Sequence, residues 1–337
     1  MILNKRWSNF EFWPFWIFYI PAYFYRMYLA IRARKFTYFT TLNPIINNSG
    51  TFEVSKWSYL SKFPKKWIPT SFKTTADTST AALNFLINQH GLEFPLVAKP
   101  DNAERGKDVA VIYSIEDLTA YCNNSRFKDI LIQQFCELEK EAGILLYKLP
   151  DESRFEITSI TEKKFCEVLG DGQKTFGELI ENNPRIKHRI DVLQRRFASS
   201  WNQVLPEGES RLIEPIGSHN LGTEFRDARI RISPELTTLL KQWSDQLPGF
   251  YYGWFDIKFK SREALQKGED FKIIEVNGVN SEPTHIYEPS YSLLKAYRDI
   301  FHHMEIIYEI SEMNLAIGYK TVPLKKFASG IIRVATL

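Results

Sequence analysis

The chain has 337 residues, of which 44% are hydrophobic and 25% charged, with 16 glycines and 16 prolines. This composition is typical of a globular protein and excludes long disorder, a collagen-like repeat and a disulfide-stabilised miniature fold. Three cysteines without CxxC spacing argue for a reducing compartment and against a zinc site. The net charge is +3, but residues 1–40 carry +5, so the rest is slightly acidic and a nucleic-acid partner is not indicated.

The first predicted element is an aromatic segment. Residues 7–28 contain 12 aromatic side chains, and the uncharged run from Phe12 to Tyr25 is 14 residues long. A helix that crosses a bilayer needs about 20 apolar residues, whereas a shorter run suits the membrane surface, where Trp and Tyr are favoured. We therefore expect residues 1–40 to associate with the membrane. A helix buried against the rest of the protein and a true span are the two alternatives.

Basic side chains follow the aromatic run directly, at Arg26, Arg32, Arg34 and Lys35. We expect them to face anionic lipid, which predicts peripheral attachment to an anionic membrane surface. The expected location is the cytoplasm, on the inner face of the cell membrane.

Strand and helix signals alternate between residues 36 and 165. The stretch 36–54 mixes apolar and turn residues and predicts loop and short strand, and residues 55–63 predict a short helix. The next predicted elements are a helix at 79–89, strands at 94–99, 109–113 and 130–135, a helix at 115–123, and two strands between 143 and 165. This order predicts an α/β or α+β architecture.

Two helices with distinct surfaces are predicted next. Thr175 and Glu178 have the spacing of a capping box. Residues 184–197 place apolar side chains on one helical face and five basic ones around it, at Arg185, Lys187, Arg189, Arg195 and Arg196. These basic residues form either a lipid- or phosphate-binding surface or an ordinary solvated face. The last predicted elements are a helix at 233–247, strands at 251–260 and 271–277, a helix at 290–312 and a strand in the tail from Ile317.

Two acidic side chains lie on the strands at 251–260 and 271–277. If these strands form an antiparallel hairpin with Lys260 opposite Phe271, Asp256 faces Glu275, and Asn277 lies on the same side of its strand as Glu275. Carboxylate and amide oxygens are the ligands that Mg²⁺ prefers. The alternative is an exposed polar face of an edge hairpin, although an unpaired carboxylate within an apolar strand is costly.

A lysine ends the strand at 94–99. Lys99 directly precedes a loop that contains Gly106. An ammonium group beside a loop with free backbone N–H groups is a reasonable phosphate site, although lysines often end strands for no such reason.

Taken together, these motifs resemble the ATP-grasp superfamily of carboxylate–amine ligases. The resemblance covers roughly residues 50–300, and its pieces occur in the family's order. They are VAKPDNAERGKDVAVIYSIEDL from Val97, LIQQF from Leu131, Glu141, EVLGDGQKTFGELIENNPR from Glu167, Asp256, and EVN at 275–277. The segment from Glu167 is similar to the cyanophycin-synthetase-like branch. The resemblance implies an α+β fold in which two α+β subdomains clamp ATP, behind the aromatic membrane-surface helix.

The resemblance also implies roles for particular residues. Lys99, Gly106, Gln134, Phe135, Glu141 and Lys164 would bind ATP, with LIQQF supplying the adenine hinge and Glu141 the ribose contact. Lys163 is the alternative to Lys164 as a second phosphate lysine, and Lys56 only faintly resembles an early ATP-binding lysine. Asp256, Glu275 and Asn277 would hold Mg²⁺, with two ions expected.

The chain departs from the family pattern at three places. The phosphate loop holds a single glycine, Gly106. The stretch before residue 90 is too short for the N-terminal substrate domain of D-alanine–D-alanine ligases, which argues against D-alanine as the substrate. The glycine-rich close of those ligases is missing after Asn277.

The implied reaction has two stages. ATP phosphorylates a substrate carboxylate, and an amine then attacks the acyl phosphate, which releases phosphate and forms an amide. Arg226 is the candidate for stabilising the transferred phosphoryl group or the tetrahedral intermediate, with Arg229 in reserve and a salt bridge as the alternative role. Glu282 could hold the amine or lie on the surface, and His219 and His285 are expected to be structural. The expected partners are a small-molecule or lipid-linked carboxylate and an amine co-substrate.

Two other function classes stay open, an ATP-grasp kinase and a non-catalytic nucleotide-binding protein at the membrane. The expected organisation is a membrane segment at 1–40, a short region at 41–93, an ATP-grasp domain at 94–320 and a tail at 321–337. Within the third, 94–165 would be the nucleotide-binding lid and 166–320 the catalytic subdomain.

Overall fold

The structure is a computed structural model that describes residues 9–52, 54–102 and 108–336. Its α-helices are α1 (Phe15–Phe18), α2 (Ile20–Arg32), α3 (Trp57–Leu60), α4 (Thr80–His90), α5 (Ile115–Asn124), α6 (Phe176–Asn182), α7 (Ile190–Arg196), α8 (Pro234–Asp245), α9 (Arg262–Lys267), α10 (Leu293–Ala316) and α11 (Leu324–Thr336). Its strands are β1 (Ser71–Thr75), β2 (Leu96–Pro100), β3 (Ala110–Ile112), β4 (Asp129–Gln134), β5 (Lys140–Lys148), β6 (Phe155–Lys164), β7 (Cys166–Leu169), β8 (Ser210–Glu214), β9 (Glu224–Asp227), β10 (Tyr252–Phe259) and β11 (Phe271–Asn277). The predicted α+β class is confirmed.

Hydroxyl side chains set the starts of several helices. Ser79, Ser114 and Ser292 each accept a hydrogen bond from a backbone N–H of the first turn of α4, α5 and α10. The capping box predicted at α6 is present, because Thr175 and Glu178 each bond the other's backbone N–H.

The chain forms two compact units. Within the described ranges, one unit comprises Met1–Glu162 and Asp227–Leu337, and the other comprises Lys163–Arg226. The second unit is therefore an insertion between β6 and the end of β9. It begins close to the predicted boundary at residue 165, but the chain returns to the first unit at Asp227 rather than continuing as one subdomain to residue 320.

The smaller sheet of the first unit has the strand order β1-β4-β2-β3, and all of its pairs are antiparallel. The sequence predicted β2, β3 and β4. It missed β1, because Ser71, Lys73, Thr74 and Thr75 dilute the apolar signal of Phe72, and the strand is defined by its pairing with β4. Helices α4 and α5 contribute to the core of this sheet through Leu83, Ile87, Leu118 and Cys122.

The larger sheet carries β11, β10, β5 and β6 in that order. Phe255, Ile257 and Phe259 of β10 pack into one core together with Trp243 of α8, whose ring is 4.7 Å from that of Phe271. Alternate residues of β10 point to the other face, where Tyr252 and Trp254 join a second core beneath α10. Strand β10 is thus covered on both faces.

Helix α2 is buried on one side and exposed on the other. Ala22 and Leu29 are fully buried against the first unit, while an apolar row lies on the outer side, at Ile20, Tyr23, Phe24, Met27, Tyr28 and Ile31. The helix therefore contributes to the core, as the buried alternative predicted, and still exposes aromatic rings, and its association with a membrane stays a prediction. Among the described residues, no helix has the length and hydropathy needed to span a bilayer.

Two of the basic residues expected to face lipid turn towards the protein instead. The guanidinium of Arg26 lies 3.8 Å from the ring centre of Phe39, and burial lowers its pKa. Arg32 lies above the ring of Tyr308 and forms a 3.2 Å ion pair with Glu305. Arg34 and Lys35 are exposed.

Three further predictions are corrected by tertiary packing. The stretch 36–54 holds 3-10 helices at Tyr38–Thr41 and Asn47–Gly50 in place of a short strand. The tail forms α11 in place of a strand, because Phe327 packs against the rings of Phe39 and Phe52. The predicted helix at 184–197 is a 3-10 turn followed by α7.

Three arginines of the predicted basic face are used inside the second unit. Arg189 and Arg196 both pair with Glu214, a carboxylate that is 2% exposed, and Arg185 pairs with Glu224. This pairing favours a structural role for these arginines over a lipid- or phosphate-binding one.

We expect the stability of the protein to depend on pH through His303. This side chain is buried against the hydroxyl of Tyr252, and burial lowers its pKa from 6.5 to about 3. Below pH 6.5 the unfolded state therefore binds a proton that the folded state does not, so the free energy of unfolding falls by about 1.4 kcal/mol per pH unit.

The variant His303→Gln keeps an acceptor for Tyr252 but cannot titrate. The difference in unfolding free energy between the parent and this variant should narrow by about 2 kcal/mol between pH 6.5 and about pH 5. Urea unfolding at both pH values measures it, and a constant difference would show that His303 is accessible to protons.

Candidate functional site

The hairpin of β10 and β11 brings the predicted acidic side chains together. Asp256 lies directly opposite Glu275, and Asn277 pairs with Trp254, two residues further along the same side. Beyond Asp256 a β-bulge shifts the register by one, so Phe259 faces Phe271 and the predicted pairing of Lys260 with Phe271 is wrong. Bulges of this kind are common beside active sites, where they re-aim a side chain.

A glycine on the neighbouring strand makes room beside Asp256. Gly143 of β5 is the pairing partner of Asp256, and a Cβ atom placed on it would lie 1.6 Å from the indole of Trp254. The aromatic ring therefore lies directly over the backbone of β5. This close approach fixes one wall of the carboxylate pair, and it explains why no larger residue fits at position 143.

The donor set fits Mg²⁺ in its chemistry. Two carboxylates and one amide oxygen on neighbouring strands are hard oxygen ligands, which Mg²⁺ uses in small number together with water and phosphate oxygens. Within 9–52, 54–102 and 108–336, no group of three or more His, Cys, Asp and Glu residues is arranged to hold a metal.

Lys99 ends β2 next to this hairpin. Its side chain is 3% exposed, and its ammonium donates to the Gln133 side-chain oxygen and to the backbone carbonyl of Ile274, each at 3.2 Å. Burial lowers the pKa of Lys99, and the charge of Glu275 opposes that shift. Both hydrogen-bond acceptors are neutral, so the positive charge is held in place without being cancelled by them.

A second buried lysine enters the same cluster. The Lys56 ammonium lies 3.5 Å from the Glu275 carboxylate, and its side chain is nearly as buried as that of Lys99. Asp101 positions the start of α3, since its backbone carbonyl accepts from the Lys56 N–H and its carboxylate accepts from the Trp57 N–H. The faint sequence match at Lys56 therefore lies at the site.

Sequence reasoning missed two positioning residues, Gln133 and Asp101. Gln133 orients Lys99 and is itself bonded to the Ser71 hydroxyl. In the sequence, Gln133 could have been recognised as a polar residue within an otherwise apolar strand. Asp101 is 1% exposed and also pairs with Lys73 at 3.1 Å, a contact made only once β1 is in place.

Of the two predicted hinge residues, Phe135 has its side chain near Glu141, and Gln134 does not. Lys258 lies between Glu141 and Phe135, because its ammonium is 3.9 Å from the Glu141 carboxylate and 5.8 Å from the ring centre of Phe135. The side chain of Gln134 turns elsewhere and bonds the backbone of Glu93 and Pro95. Only the backbone of Gln134 could therefore serve as the predicted adenine hinge.

Other predicted residues belong to the second unit or fall outside the described residues. Gly106 falls in 103–107, beyond the described residues. Lys164 and Arg226 are exposed and belong to the second unit. Arg226 forms a close ion pair with Glu224, as its alternative role required. His219, also in the second unit, packs against Phe225.

The reserve candidate Arg229 belongs to an ionic network of the first unit. It pairs with Asp227 and bonds the hydroxyl of Tyr291. Asp299 accepts from both Tyr291 and His285, and this makes His285, which is 1% exposed, a structural residue. An open cleft of about 730 Å³ lies beside the network and is lined by Asp227, Arg229, Ile230, Glu288, Ser290, Tyr291, Ser292 and Lys295. None of the three proposed metal ligands lines it.

Glu282 follows β11 and is held by the Tyr287 hydroxyl, 3.2 Å from its carboxylate. Burial raises the pKa of Glu282 to about 7 although this hydrogen bond opposes the shift. The ring of Tyr287 in turn contacts Phe18 of α1 at 6.0 Å, so the segment after β11 packs against the aromatic N-terminal helices.

The order of elements is the one that the ATP-grasp resemblance predicts. Lys99 lies on β2, which shares a sheet with β3 and β4 and a core with α5, and Asp256 and Glu275 lie on paired strands of the larger sheet. The structure therefore has the α+β class that the resemblance predicts.

Searches with the sequence find no matching protein-family profile and no matching curated protein. Solved structures similar to this one include a D-alanine–D-alanine ligase from Bacillus anthracis, with a TM-score of 0.46, 13% identity, and coverage of 78% of this chain and 69% of that one. They also include the VanG D-Ala:D-Ser ligase from Enterococcus faecalis, with a TM-score of 0.43, 11% identity, and coverage of 78% and 64%.

A third is a bifunctional glutathione synthetase from Pasteurella multocida, with a TM-score of 0.38 and 11% identity; the match covers 70% of this chain but about a third of that protein, 34%. All three TM-scores lie below 0.5, so we base the function on the residues of this chain.

Replacing Lys99 should weaken nucleotide binding more than replacing Lys56. The charge of Lys56 is largely balanced by Glu275 at 3.5 Å, whereas Lys99 contacts neutral acceptors and keeps its net charge for a phosphate. Titration of a non-hydrolysable ATP analogue should give about tenfold weaker binding for Lys99→Met, with a smaller change for Lys56→Met. If Lys56→Met weakened binding of the analogue more than Lys99→Met, or if neither variant changed it, Lys99 would not belong to the nucleotide site.

Proposed function

We propose that this protein is an ATP- and Mg²⁺-dependent ligase that joins a carboxylate to an amine through an acyl phosphate. One observation carries the proposal: Asp256 and Glu275 face each other on paired strands beside two buried lysines. Half-buried carboxylates beside buried ammonium groups suit a ligand that brings both phosphates and metal ions.

Charge is the main obstacle in this chemistry, because a carboxylate and a triphosphate repel each other. Lys99 and Lys56 would lower that repulsion from the protein side. When bound, Mg²⁺ at Asp256, Glu275 and Asn277 would neutralise the phosphate oxygens, and two ions are expected. Glu141 would take the ribose, and the strand end at Gln134 and Phe135 the adenine.

The remaining roles belong to residues outside this cluster. Arg226, Lys164 and Gly106 are proposed to contact the transferred phosphoryl group and the phosphates. Glu282 is proposed to hold the amine, since a carboxyl group with a pKa near 7 can accept a proton from an ammonium ion at neutral pH.

Hydroxylamine tests the reaction class without knowledge of the natural amine. It attacks acyl phosphates and gives hydroxamates, which ferric iron colours. The purified protein should form hydroxamate and release ADP with members of a carboxylic-acid panel, and only when ATP, Mg²⁺ and the acid are all present. ADP release without hydroxamate would indicate a kinase, and no ADP release with any acid would indicate a binding protein.

The variants Asp256→Asn and Glu275→Gln should each lower this activity about a thousandfold, because several kcal/mol of transition-state stabilisation depend on the metal ligands. Asp270→Asn is the matched control. Asp270 lies on the same hairpin but is exposed, and it pairs only loosely with Lys260 at 3.7 Å. Parental turnover in both folded metal-site variants would place the metal elsewhere.

We further propose that the ligase works at the inner face of the cell membrane and takes a lipid-linked or other membrane-presented substrate. The support is the outer row of α2, which carries six apolar side chains and no charge from Ile20 to Ile31, since Arg26 turns inwards. Exposed Arg34 and Lys35 follow it. Such a helix lies in the membrane interface with its apolar side among the lipid headgroups.

The double variant Phe24→Ser/Ile31→Ser should bind phospholipid vesicles at least tenfold more weakly, because burying each of these side chains contributes roughly 1.5–3 kcal/mol. Phe24 is 75% exposed and Ile31 is 65% exposed, so the fold should tolerate the change. Phe85→Ser on α4, also 65% exposed, is the matched control. Vesicle co-sedimentation measures binding, and equal binding by all proteins would contradict attachment through α2.

A further inference from the structure

Helix α11 is docked on the first unit by one narrow side. Phe327 packs edge-on against Phe39, with ring centres 5.4 Å apart, and it also contacts Phe52. At Gly330 the helix backbone touches the Phe52 ring, because a Cβ atom there would lie 2.4 Å from it. These contacts determine which side of α11 faces the protein.

The remainder of α11 is amphipathic. Leu324, Ile331 and Ile332 share one helical face by their spacing and are 59%, 43% and 65% exposed. Lys326 and Arg333, seven residues apart, lie on the opposite flank, and Lys325 lies at the edge of the apolar face beside Ile332. Residues 317–337 contain four basic side chains and no acidic one. An apolar face flanked only by positive charge is complementary to an anionic lipid surface.

The start of α11 is tied to the chain that leaves α2. The Thr37 hydroxyl donates to the Val322 carbonyl at 2.7 Å, and the Val322 N–H donates to the Thr40 hydroxyl at 2.9 Å. Phe36, next to Thr37, is 57% exposed. Apolar surface is therefore exposed at the end of α2, at the connecting residue and at the start of α11.

Phe39 joins the two helices from inside. The Arg26 guanidinium of α2 lies against one part of its ring, and Phe327 of α11 packs against another. Both helices are thus seated on the same side chain.

From this continuity we propose that α11 is the charge-dependent half of one membrane-docking surface, whose occupant is a bilayer rich in anionic phospholipid. The inference deepens the attachment proposed for α2 and rests on it. In this arrangement α2 supplies contacts that salt does not weaken, and α11 supplies Lys325, Lys326 and Arg333, whose attraction to lipid is screened over about 10 Å at 0.1 M salt.

The double charge reversal Lys325→Glu/Lys326→Glu in the full chain tests the proposal. Binding to phosphatidylcholine vesicles that contain phosphatidylglycerol should weaken roughly 100-fold, since each basic group near an anionic surface contributes about tenfold or less. Binding to pure phosphatidylcholine should be weak in both proteins and equal. Lys65→Glu/Lys66→Glu is the matched control, because it reverses an exposed lysine pair of the first unit far along the chain.

Milder variants and salt separate a lost charge from a misfolded helix. Lys325→Gln/Lys326→Gln should fall between the parent and the reversal, and high salt should reduce parental binding to the level of the reversal variant. Unchanged binding in the reversal variant, an equal loss in the control pair, or a loss that salt does not reproduce would overturn the proposal. If the parent and the reversal variant differ in self-association when they are sedimented without vesicles, the proposal is overturned in favour of a second copy of this chain as the occupant.

Hydroxamate formation in the absence of vesicles keeps this result separate from the proposed reaction. The reversal variant should retain it in full. If the parent fails to form hydroxamate but binds anionic vesicles as expected, the ligase assignment is wrong and the docking surface stands.

Discussion

The pairing of β10 with β11 is the interaction on which the candidate site depends. Asp256 and Glu275 are close because the two strands align them, and the bulge directly after Asp256 shifts the remaining pairs by one position. A different register would move one carboxylate to the opposite face of the sheet, since side chains alternate along a strand. The core formed by Phe255, Ile257 and Phe271 fixes that register, because a slip would carry these side chains out of the core.

Electrostatic balance is the second constraint. Two lysines lie among three buried or half-buried carboxylates, those of Glu141, Asp256 and Glu275. Each lysine has a defined neighbour, which is Gln133 for Lys99 and Glu275 for Lys56. Buried charges are tolerated when they are paired or hydrogen-bonded, and here the pairing leaves Lys99 oriented by neutral groups. The same arrangement that stabilises the ligand-free protein is thus suited to receive a highly charged ligand.

The N-terminal helices connect the site to the surface. Phe18 packs against Tyr287, whose hydroxyl bonds Glu282, and the outer row of α2 lies on the opposite side of the same helical segment. An aromatic-rich sequence gave two main hypotheses, a core helix or a membrane-surface helix, and the structure buries one side of α2 in the core and leaves its other side exposed. Aromatic side chains serve both because they are large and apolar, and tyrosine and tryptophan also tolerate partial exposure.

Local pattern was enough to predict much of this protein. Apolar strands flanked by turns predicted β2, β4, β10 and β11, and hydroxyl caps marked helix starts. The sequence also predicted that Asp256 faces Glu275, although its assumed pairing of Lys260 with Phe271 is wrong and a bulge brings the two carboxylates opposite each other. What the sequence could not show depends on distant partners. Strand β1 exists through its pairing with β4, helix α11 through Phe39 and Phe52, and the bulge through packing on both faces of β10. Arg26 likewise lies against the ring of Phe39, and Arg32 lies against the ring of Tyr308 while its side chain stays half exposed, and helical spacing alone carries no information on which basic residue will find such a partner.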